Sequence, residues 1–265
     1  MNGLINLRAG LVSILAIFLA IIFIGGCSQI LSPGKLPVEN DAKTVTVSAP
    51  KWTATPVADR PYDEVGKWAE AIRAFEESDK TNPPAPGGIV FVGSSSIVFW
   101  ETLAADMAPL PVIQRGFGGS KIYDAVYYAD RIVWPYQPKA IVMFSGTNDI
   151  VVPTPGAPER VKQGFIDFVA ETRAIYPEID IHFISMSPTK ARWSAVDQVR
   201  QGNALVEAVT KTDDHLFYID TATAVVKDGI SDETLFRDDK LHLNADGYAV
   251  WTAIIRPHLM ALYAE

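Results

Sequence analysis

Residues 89–96 read IVFVGSSS: four apolar residues, a glycine and three serines. A short apolar run that ends at a turn residue is typical of a strand that is covered on both faces. We therefore predict a strand over residues 89–92 and a sharp turn at Gly93. The serines after this turn could cap a helix, because serine is a good N-cap residue, or they could present a hydroxyl to a ligand.

Four more apolar runs follow, at residues 112–114, 140–145, 181–185 and 216–219. Segments with apolar residues at helical spacing lie before, between and after the runs. The expected helices carry the stripes Val65-Trp68-Ile72-Phe75, Ile122-Val126-Ala129-Val133 and Val161-Phe165-Phe168-Ile175. A further helix, expected to begin near residue 195, contains Ala204, Val206 and Val209. A last helix is expected from about residue 245 to 263, with Pro257 kinking or interrupting it. This alternation predicts an α/β fold with a parallel sheet of about five strands and right-handed crossovers.

Glycine, polar and charged residues gather where these strands are expected to end. The motifs are RGFGGS at residues 115–120, FSGTNDI at 144–150 and RDDKLHLNADGY at 237–248. Because ligands bind at the carboxyl ends of parallel strands, we expect the motifs to meet the serines of residues 94–96 at one edge of the sheet. Each motif also has a plainer explanation, since glycines make turns and Thr, Asn and Asp cap helices.

The last motif places Asp239 three residues before His242. At this spacing on a turn, the carboxylate can accept a hydrogen bond from Nδ1 of the imidazole and leave Nε2 free as a base. Asp220, at the end of the last predicted strand, and the adjacent Asp238 are alternative partners. A purely structural role of the histidine is the other explanation.

The composition argues against several kinds of partner. The chain has 265 residues, a formal net charge of −8 and no basic cluster, so we expect no nucleic-acid partner. Its single cysteine, Cys27, leaves no disulfide or thiolate chemistry for the rest of the chain. No two of its histidines are four residues apart and no cysteine can help, so we expect no structural zinc. No other metal or cofactor is expected. The histidines are His182, His215, His242 and His258.

The N-terminal residues predict export. Arg8 is followed by an apolar run over residues 9–26, as in a secretory signal. The end of this run, Ile24-Gly25-Gly26-Cys27, resembles the lipobox of bacterial lipoproteins. The resemblance implies a signal peptide over residues 1–27, a diacylglycerol on the Cys27 thiol and acylation of the new amine, with palmitate as the expected chain. The alternative is a membrane-spanning helix, because about 18 apolar residues can just cross a bilayer.

The residue after the cysteine is Ser28 and not the Asp that would resemble an inner-membrane retention signal. We therefore expect a protein of the bacterial cell envelope that is anchored to the membrane through Cys27, on the outer membrane facing the periplasm if the host is Gram-negative. Residues 28–61 are rich in Pro, Ser and Thr without periodicity, which predicts a tether. A short strand at residues 44–48 and a single domain over residues 62–265 complete the expected organisation.

The four motifs together resemble the sequence blocks of the SGNH hydrolases, which are GDSL-like enzymes. The resemblance covers about residues 62–265. Residues 93–96, with the helix from Trp68 to Phe75 before them, resemble the GSSS subgroup, whose members are often lipoproteins. The family resemblance implies a flavodoxin-like three-layer α/β sandwich and a serine esterase.

Matched residue by residue, Ser95 corresponds to the nucleophile of the family, His242 to its base and Asp239 to its acid. The oxyanion donors correspond to the backbone N–H groups of Ser95 and Gly119 and to the side chain of Asn148. One departure is Ser94, which stands where the name motif has Asp. That Asp is not a triad member, but the change leaves open whether Ser95 or a neighbouring serine is the nucleophile.

The expected reaction is the hydrolysis of carboxylic esters, with a small acyl group on an envelope glycan or lipid as the expected substrate. One alternative is a non-catalytic envelope lipoprotein that binds glycan on the same fold. Another is a metal-dependent phosphoesterase, which would need clustered His and carboxylate ligands. Residues 150–158 could line the site through Val151, Val152 and Pro153 or form a packed surface loop. The oligomeric state is not indicated by the sequence.

Overall fold

The computed structural model of the protein describes residues 51–62 and 66–264. The predicted signal peptide, the lipidation of Cys27, the strand at residues 44–48 and the first part of the tether lie outside the described residues. Among the residues that are described, no helix is both long enough and apolar enough to cross a bilayer.

A parallel five-stranded sheet forms the centre of the domain. Its strands are β1 (Ile89–Gly93), β2 (Val112–Gly116), β3 (Ala140–Phe144), β4 (Asp180–Ile184) and β5 (Leu216–Ile219). The strand order is β2-β1-β3-β4-β5, which is flavodoxin-like, and every neighbouring pair is parallel. The predicted fold class is confirmed, and each predicted strand end lies within two residues of the observed one.

Helices cover both faces of the sheet and produce the three layers. They are α1 (Ala69–Thr81), α2 (Ser95–Val98), α3 (Leu103–Asp106), α4 (Ile122–Ile132), α5 (Ala157–Ile175), α6 (Val196–Thr210) and α7 (Ala245–Tyr263). One apolar core lies between the sheet and α1, α4, α5 and α6, and the other lies between the sheet and α2, α3 and α7. Every residue of β1 and β3 is buried, as expected for strands that are covered on both faces.

One detail of the helix prediction is wrong. Ile175 is 46 % exposed, because α5 ends there and the following Ile179 joins the core instead. The helix expected from near residue 195 with Ala204, Val206 and Val209 is confirmed as α6. Pro257 lies inside α7 and does not interrupt it, so a kink is the alternative that stays a prediction.

The described end of the predicted tether lies on the domain surface and is not free. The indole N–H of Trp52 donates to Asp213 at 3.0 Å, and the backbone N–H of Thr55 donates to Asp167 at 2.8 Å. The guanidinium of Arg60, which is 3 % exposed, lies 2.6 Å from Glu171. Residues 51–61 are therefore held by side-chain partners that their proline-rich composition does not reveal.

A chain of hydrogen bonds that passes through the buried His182 joins β4 to α7. Tyr263 Oη donates to Asp180 Oδ2 at 2.6 Å and lies 2.7 Å from Nε2 of His182, and Nδ1 of His182 lies 3.0 Å from Nε2 of His258. Because the tyrosine hydroxyl donates to the carboxylate, His182 must donate from Nε2 and accept from His258 at Nδ1. A second proton on His182 would face the N–H of His258. Burial and this neighbour lower the pKa of His182 to about 3.

We predict that His182→Gln weakens the acid destabilisation of the domain. An unfolded histidine titrates near pH 6.5, so between about pH 6.5 and pH 3 the unfolded state binds more protons at residue 182 than the folded state does. Stability at this residue is therefore lost as the pH falls. Lowering the pH from about 7 to about 4.5 should cost the wild type about 2–3 kcal/mol more than the variant. Urea unfolding of residues 28–265 at both pH values measures the difference, and equal losses would contradict it.

Candidate active site

The turn after β1 depends on a close approach between two strands. A Cβ atom on Gly93, whose φ is +153°, would lie 2.0 Å from the carbonyl oxygen of Phe144 at the end of β3. The N–H of Ser94 donates to the same oxygen at 3.1 Å. Ser94 then precedes α2 as its N-cap, and Ser95 is the first residue of that helix. The glycine therefore permits a serine to stand at the edge of the sheet directly beside the end of β3.

Only one of the three serines contacts the predicted histidine. Ser95 Oγ lies 3.0 Å from Nε2 of His242, and Nδ1 of the same ring lies 2.7 Å from Asp239 Oδ2. Ser94 and Ser96 are buried, with 2 % and 8 % exposure, and have no hydrogen bond to this imidazole. The sequence left open which of the three serines is the candidate nucleophile, and this geometry favours Ser95.

A tight turn fixes the acid and the imidazole relative to each other. Asp239 Oδ1 accepts hydrogen bonds from the N–H groups of Leu241 and His242, each at 2.9 Å. The turn is closed by the N–H of Arg237, which donates to the carbonyl of His242 at 2.7 Å. Partial burial disfavours ionisation of Asp239, but the hydrogen bonds from His242 and Leu241 prevail and lower its pKa to about 2. The carboxylate is therefore ionised and accepts the Nδ1 proton, so that Nε2 faces Ser95 as an acceptor.

The two alternative acids lie elsewhere. Asp220 accepts hydrogen bonds from the backbone and the side chain of Thr223, at 3.0 Å and 2.6 Å. Asp238 is exposed, and it makes no hydrogen bond to His242. Of the three carboxylates considered, only Asp239 contacts the imidazole.

The glycine-rich loop after β2 lies beside the serine. The N–H of Phe117 donates to the carbonyl of Gly93 at 2.9 Å, and the indole of Trp68 donates to the carbonyl of Gly118 at 2.8 Å. A Cβ atom on Gly118 would lie 4.0 Å from Cβ of Ser95. The loop that carries Gly119 is therefore fixed next to Ser95 from two directions.

Asn148 is held at both ends of its carboxamide. Its Nδ2 donates to the carbonyl of Ser120 at 3.0 Å, and its Oδ1 accepts from Nη2 of Arg192 at 2.9 Å. Nη1 of the same arginine donates to the carbonyl of Thr147 at 2.7 Å. Arg192 was not predicted from the sequence. The only available signal is its position, since it follows β4 and strand ends collect functional residues.

Asp149 joins the loops after β2 and β3. It is 7 % exposed, accepts from the N–H of Ile122 at 3.0 Å and lies 3.9 Å from Arg160. Burial raises the pKa of its carboxyl to about 7. The residue next to Asn148 thus fixes the start of α4, which follows the glycine-rich loop.

The site opens as a small polar cleft that encloses about 10 Å³, the room of about one water molecule. Its lining consists of Ser94, Ser95, Ser96, Phe144, Thr147, Asn148, Ser187, Thr189, Arg192, Leu241 and His242. The buried hydroxyls of Thr147, Ser187 and Thr189 have no hydrogen-bond partner in the described part of the chain. Residues 150–158 do not line the cleft, and Val151 and Val152 are exposed, so the surface-loop explanation fits them.

The described residues contain no group of three or more His, Cys, Asp or Glu side chains that could hold a metal ion. The metal-dependent phosphoesterase considered above would need such a group, so the described ranges offer it no ligand set.

Several solved structures are similar to this chain. No curated protein sequence matches it. A GDSL-like lipase from Bacteroides thetaiotaomicron has a TM-score of 0.61 at 18 % identity, covering 72 % of this chain and 98 % of its own. A lipase/acylhydrolase from Enterococcus faecalis has a TM-score of 0.54 at 18 % identity, covering 66 % and 96 %. A family 3 carbohydrate esterase from Clostridium thermocellum has a TM-score of 0.52 at 14 % identity, covering 67 % and 98 %.

At these identities the solved structures support the fold alone. The family is shown by the sequence itself, because residues 89–250 match the model of the GDSL-like lipase/acylhydrolase family. The matched range begins at β1, continues past Asp239 and His242, and includes more than half of the 265 residues. The chain therefore belongs to the GDSL-like lipase/acylhydrolase family.

Proposed function

We propose that this acylhydrolase is a serine esterase in which Ser95 is the nucleophile, His242 the general base and Asp239 the orienting acid. One observation carries the proposal. A single imidazole ring lies 3.0 Å from Ser95 Oγ through Nε2 and 2.7 Å from Asp239 through Nδ1. Nucleophile, base and orienting acid in this relation are the requirement for acyl transfer by a serine.

In the proposed reaction, Ser95 Oγ attacks the ester carbonyl while His242 Nε2 takes the hydroxyl proton. The negative charge that develops on the carbonyl oxygen is stabilised by the N–H groups of Ser95 and Gly119 and by the Nδ2 proton of Asn148 that Ser120 does not use. His242 then gives its proton to the leaving alcohol. Water, activated by the same imidazole, hydrolyses the acyl-serine and restores the hydroxyl.

The cleft favours a small acyl group. Its enclosed space is about 10 Å³, and three of its lining hydroxyls are buried without a partner. A long alkyl chain would exceed this enclosed space and would meet a lining made largely of Ser, Thr, Asn, Arg and His side chains, which offers it little apolar contact. The substrate proposed is therefore an ester of a short acyl group, carried by a glycan or lipid of the cell envelope.

The proposed location rests on the N-terminal sequence. Ile24-Gly25-Gly26-Cys27 resembles a lipobox, and the subgroup that residues 93–96 resemble is often lipid-anchored. We propose a bacterial lipoprotein that is anchored by acyl chains on Cys27, since several chains together hold a protein to a bilayer more firmly than one. With Ser28 after the cysteine, the proposed membrane of a Gram-negative host is the outer membrane, with the domain in the periplasm.

We predict that residues 28–265 hydrolyse p-nitrophenyl acetate and butyrate much faster than the palmitate. Ser95→Ala should abolish this turnover and the labelling by a fluorophosphonate, because both need the Ser95 hydroxyl. The matched variants Ser94→Ala and Ser96→Ala should still be labelled. Labelling of Ser95→Ala would assign another nucleophile. A folded wild type that is neither labelled nor active would favour the non-catalytic, glycan-binding alternative.

A second prediction separates the three candidate acids. Asp239→Asn should lower kcat for p-nitrophenyl acetate by about 10³- to 10⁴-fold, because the amide no longer holds the imidazole with its Nδ1 proton inward. Asp220→Asn and Asp238→Asn should stay within about twofold of the wild type, since neither carboxylate contacts His242. A comparable loss in either control would move the acid away from Asp239.

A third prediction concerns the anchor. In a bacterial host grown with labelled palmitate, the full chain should take up label and sediment with the membrane. Cys27→Ala should lose the label, because residue 27 would have no thiol to modify. A Cys27→Ala protein that runs at the same size as the wild type and resists alkaline extraction from the membrane would instead favour the membrane-spanning alternative.

A further inference from the structure

The carboxamide of Asn148 has two possible orientations, related by a half-turn that exchanges its oxygen and its nitrogen. Arg192 decides between them. Its Nη2 donates to the side-chain oxygen of Asn148 at 2.9 Å, and a guanidinium has no acceptor. The opposite orientation would bring the NH₂ group of Asn148 against the NH₂ group of the arginine. Arg192 therefore requires Asn148 to present its oxygen to the guanidinium and its nitrogen to the other side.

The orientation matters because the two N–H bonds of Asn148 Nδ2 have separate partners. One donates to the carbonyl of Ser120 at 3.0 Å. The second is available to the carbonyl oxygen of a substrate. Since an arginine on Oδ1 also withdraws electron density from the amide, it makes the N–H bonds of Nδ2 stronger donors.

The segment that carries Arg192 is itself fixed to the loop of the histidine. Arg192 lies in a 3₁₀ segment over Lys190–Ala195, and the N–H of Ala191 donates to the carbonyl of Lys240 at 3.1 Å. Lys240 lies between Asp239 and His242 in the sequence. Through this contact and its bonds to Thr147 and Asn148, Arg192 joins the loop after β3 to the loop of the base.

The charge of Arg192 has no carboxylate partner in the described ranges. Three other enclosed arginines, Arg60, Arg115 and Arg173, each form a salt bridge with an acid. Arg192 instead contacts two carbonyl oxygens, and burial lowers its pKa. The polar contacts of this partly buried guanidinium are therefore with the loop after β3, and one of them is with the side-chain oxygen of Asn148.

We infer that Arg192 is a positioning residue of the oxyanion hole, which acts by holding the Asn148 carboxamide with its nitrogen toward the substrate. The inference rests on the proposed esterase function. Arg192 lies outside the four sequence blocks that are typical of the family. Its inferred role is in the transition state and not in substrate binding.

A double-mutant cycle tests this role. Arg192→Gln should lower kcat for p-nitrophenyl acetate by about 10- to 100-fold with an unchanged KM, and Asn148→Ala should lower it by about 10²- to 10³-fold. The double variant should be no slower than Asn148→Ala alone, because Arg192 acts through Asn148. Arg192→Lys should recover part of the loss, since an ammonium can donate to one of the two carbonyl oxygens. The exposed Arg200→Gln is the matched control and should stay within about twofold of the wild type.

Each other outcome overturns the inference. If the losses multiply in the double variant, Arg192 acts independently of Asn148. If the Tm of Arg192→Gln is so low that its kcat follows its folded fraction, the role of Arg192 is merely structural. A second ester pair, 4-acetoxybenzoate and its methyl ester, checks for substrate recognition. If Arg192→Gln raised KM for the anionic ester alone, the guanidinium would be a binding group for substrate anions.

The rate of fluorophosphonate labelling at Ser95 keeps the two proposals separate. If the wild type is labelled, the nucleophile is established even when no tested ester is hydrolysed. Slower labelling of Arg192→Gln then supports the positioning role, because the phosphonyl oxygen of the probe occupies the oxyanion hole. Equal labelling of both proteins overturns the inference alone. A folded wild type that is not labelled defeats the esterase proposal and the inference with it.

Discussion

The contact between the ends of β1 and β3 is the constraint on which the site depends. At Gly93 the two strands are so close that a side chain would lie 2.0 Å from the carbonyl of Phe144. Because the strand order reverses between these neighbours, the segments that follow them diverge and leave a crevice at the carboxyl edge. Ser95 enters this crevice from β1 and Asn148 from β3. The distance between the proposed nucleophile and the proposed oxyanion donor is thus set by the ends of two neighbouring strands of the sheet.

The proposed base, His242, reaches the crevice by a different route. Asp239 and His242 lie on a turn that is closed by its own hydrogen bonds and by the β-bridge between Phe236 and Leu243. The imidazole is further supported by Phe99, whose ring is 4.9 Å away in an edge contact. Since Phe99 directly follows α2, the helix that begins at Ser95 also provides the surface against which the base packs. The proposed nucleophile and the proposed base are therefore positioned by overlapping sets of contacts.

Local patterns predicted the strands and most of the site, because buried parallel strands are apolar runs and their carboxyl ends share one edge. Ser95 and Asn148 come together for this reason, whereas Asp239 and His242 were predicted from their spacing and lie on a separate turn. The role of Arg192 depends on a contact with Asn148 across 44 residues, within a short 3₁₀ segment that has no periodicity. The attachment of residues 51–61 likewise depends on bonds such as Thr55 to Asp167, across 112 residues. Composition and periodicity describe residues that are near each other in the sequence, so they do not indicate these distant partners.

The distribution of unpaired polar groups supports a functional carboxyl edge independently of the motifs. At the amino edge, the polar chain from Asp180 through Tyr263 and His182 to His258 is continuous and satisfied. In the described part of the chain, seven buried side-chain atoms have no hydrogen-bond partner, and five of them follow β2, β3 or β4. These five belong to Ser120, Ser145, Thr147, Ser187 and Thr189. Such groups destabilise a fold by about 1–3 kcal/mol each, so a random arrangement would not concentrate them at one edge. Three of these groups, those of Thr147, Ser187 and Thr189, line the same cleft as Arg192, so polar side chains surround the place proposed for the developing negative charge.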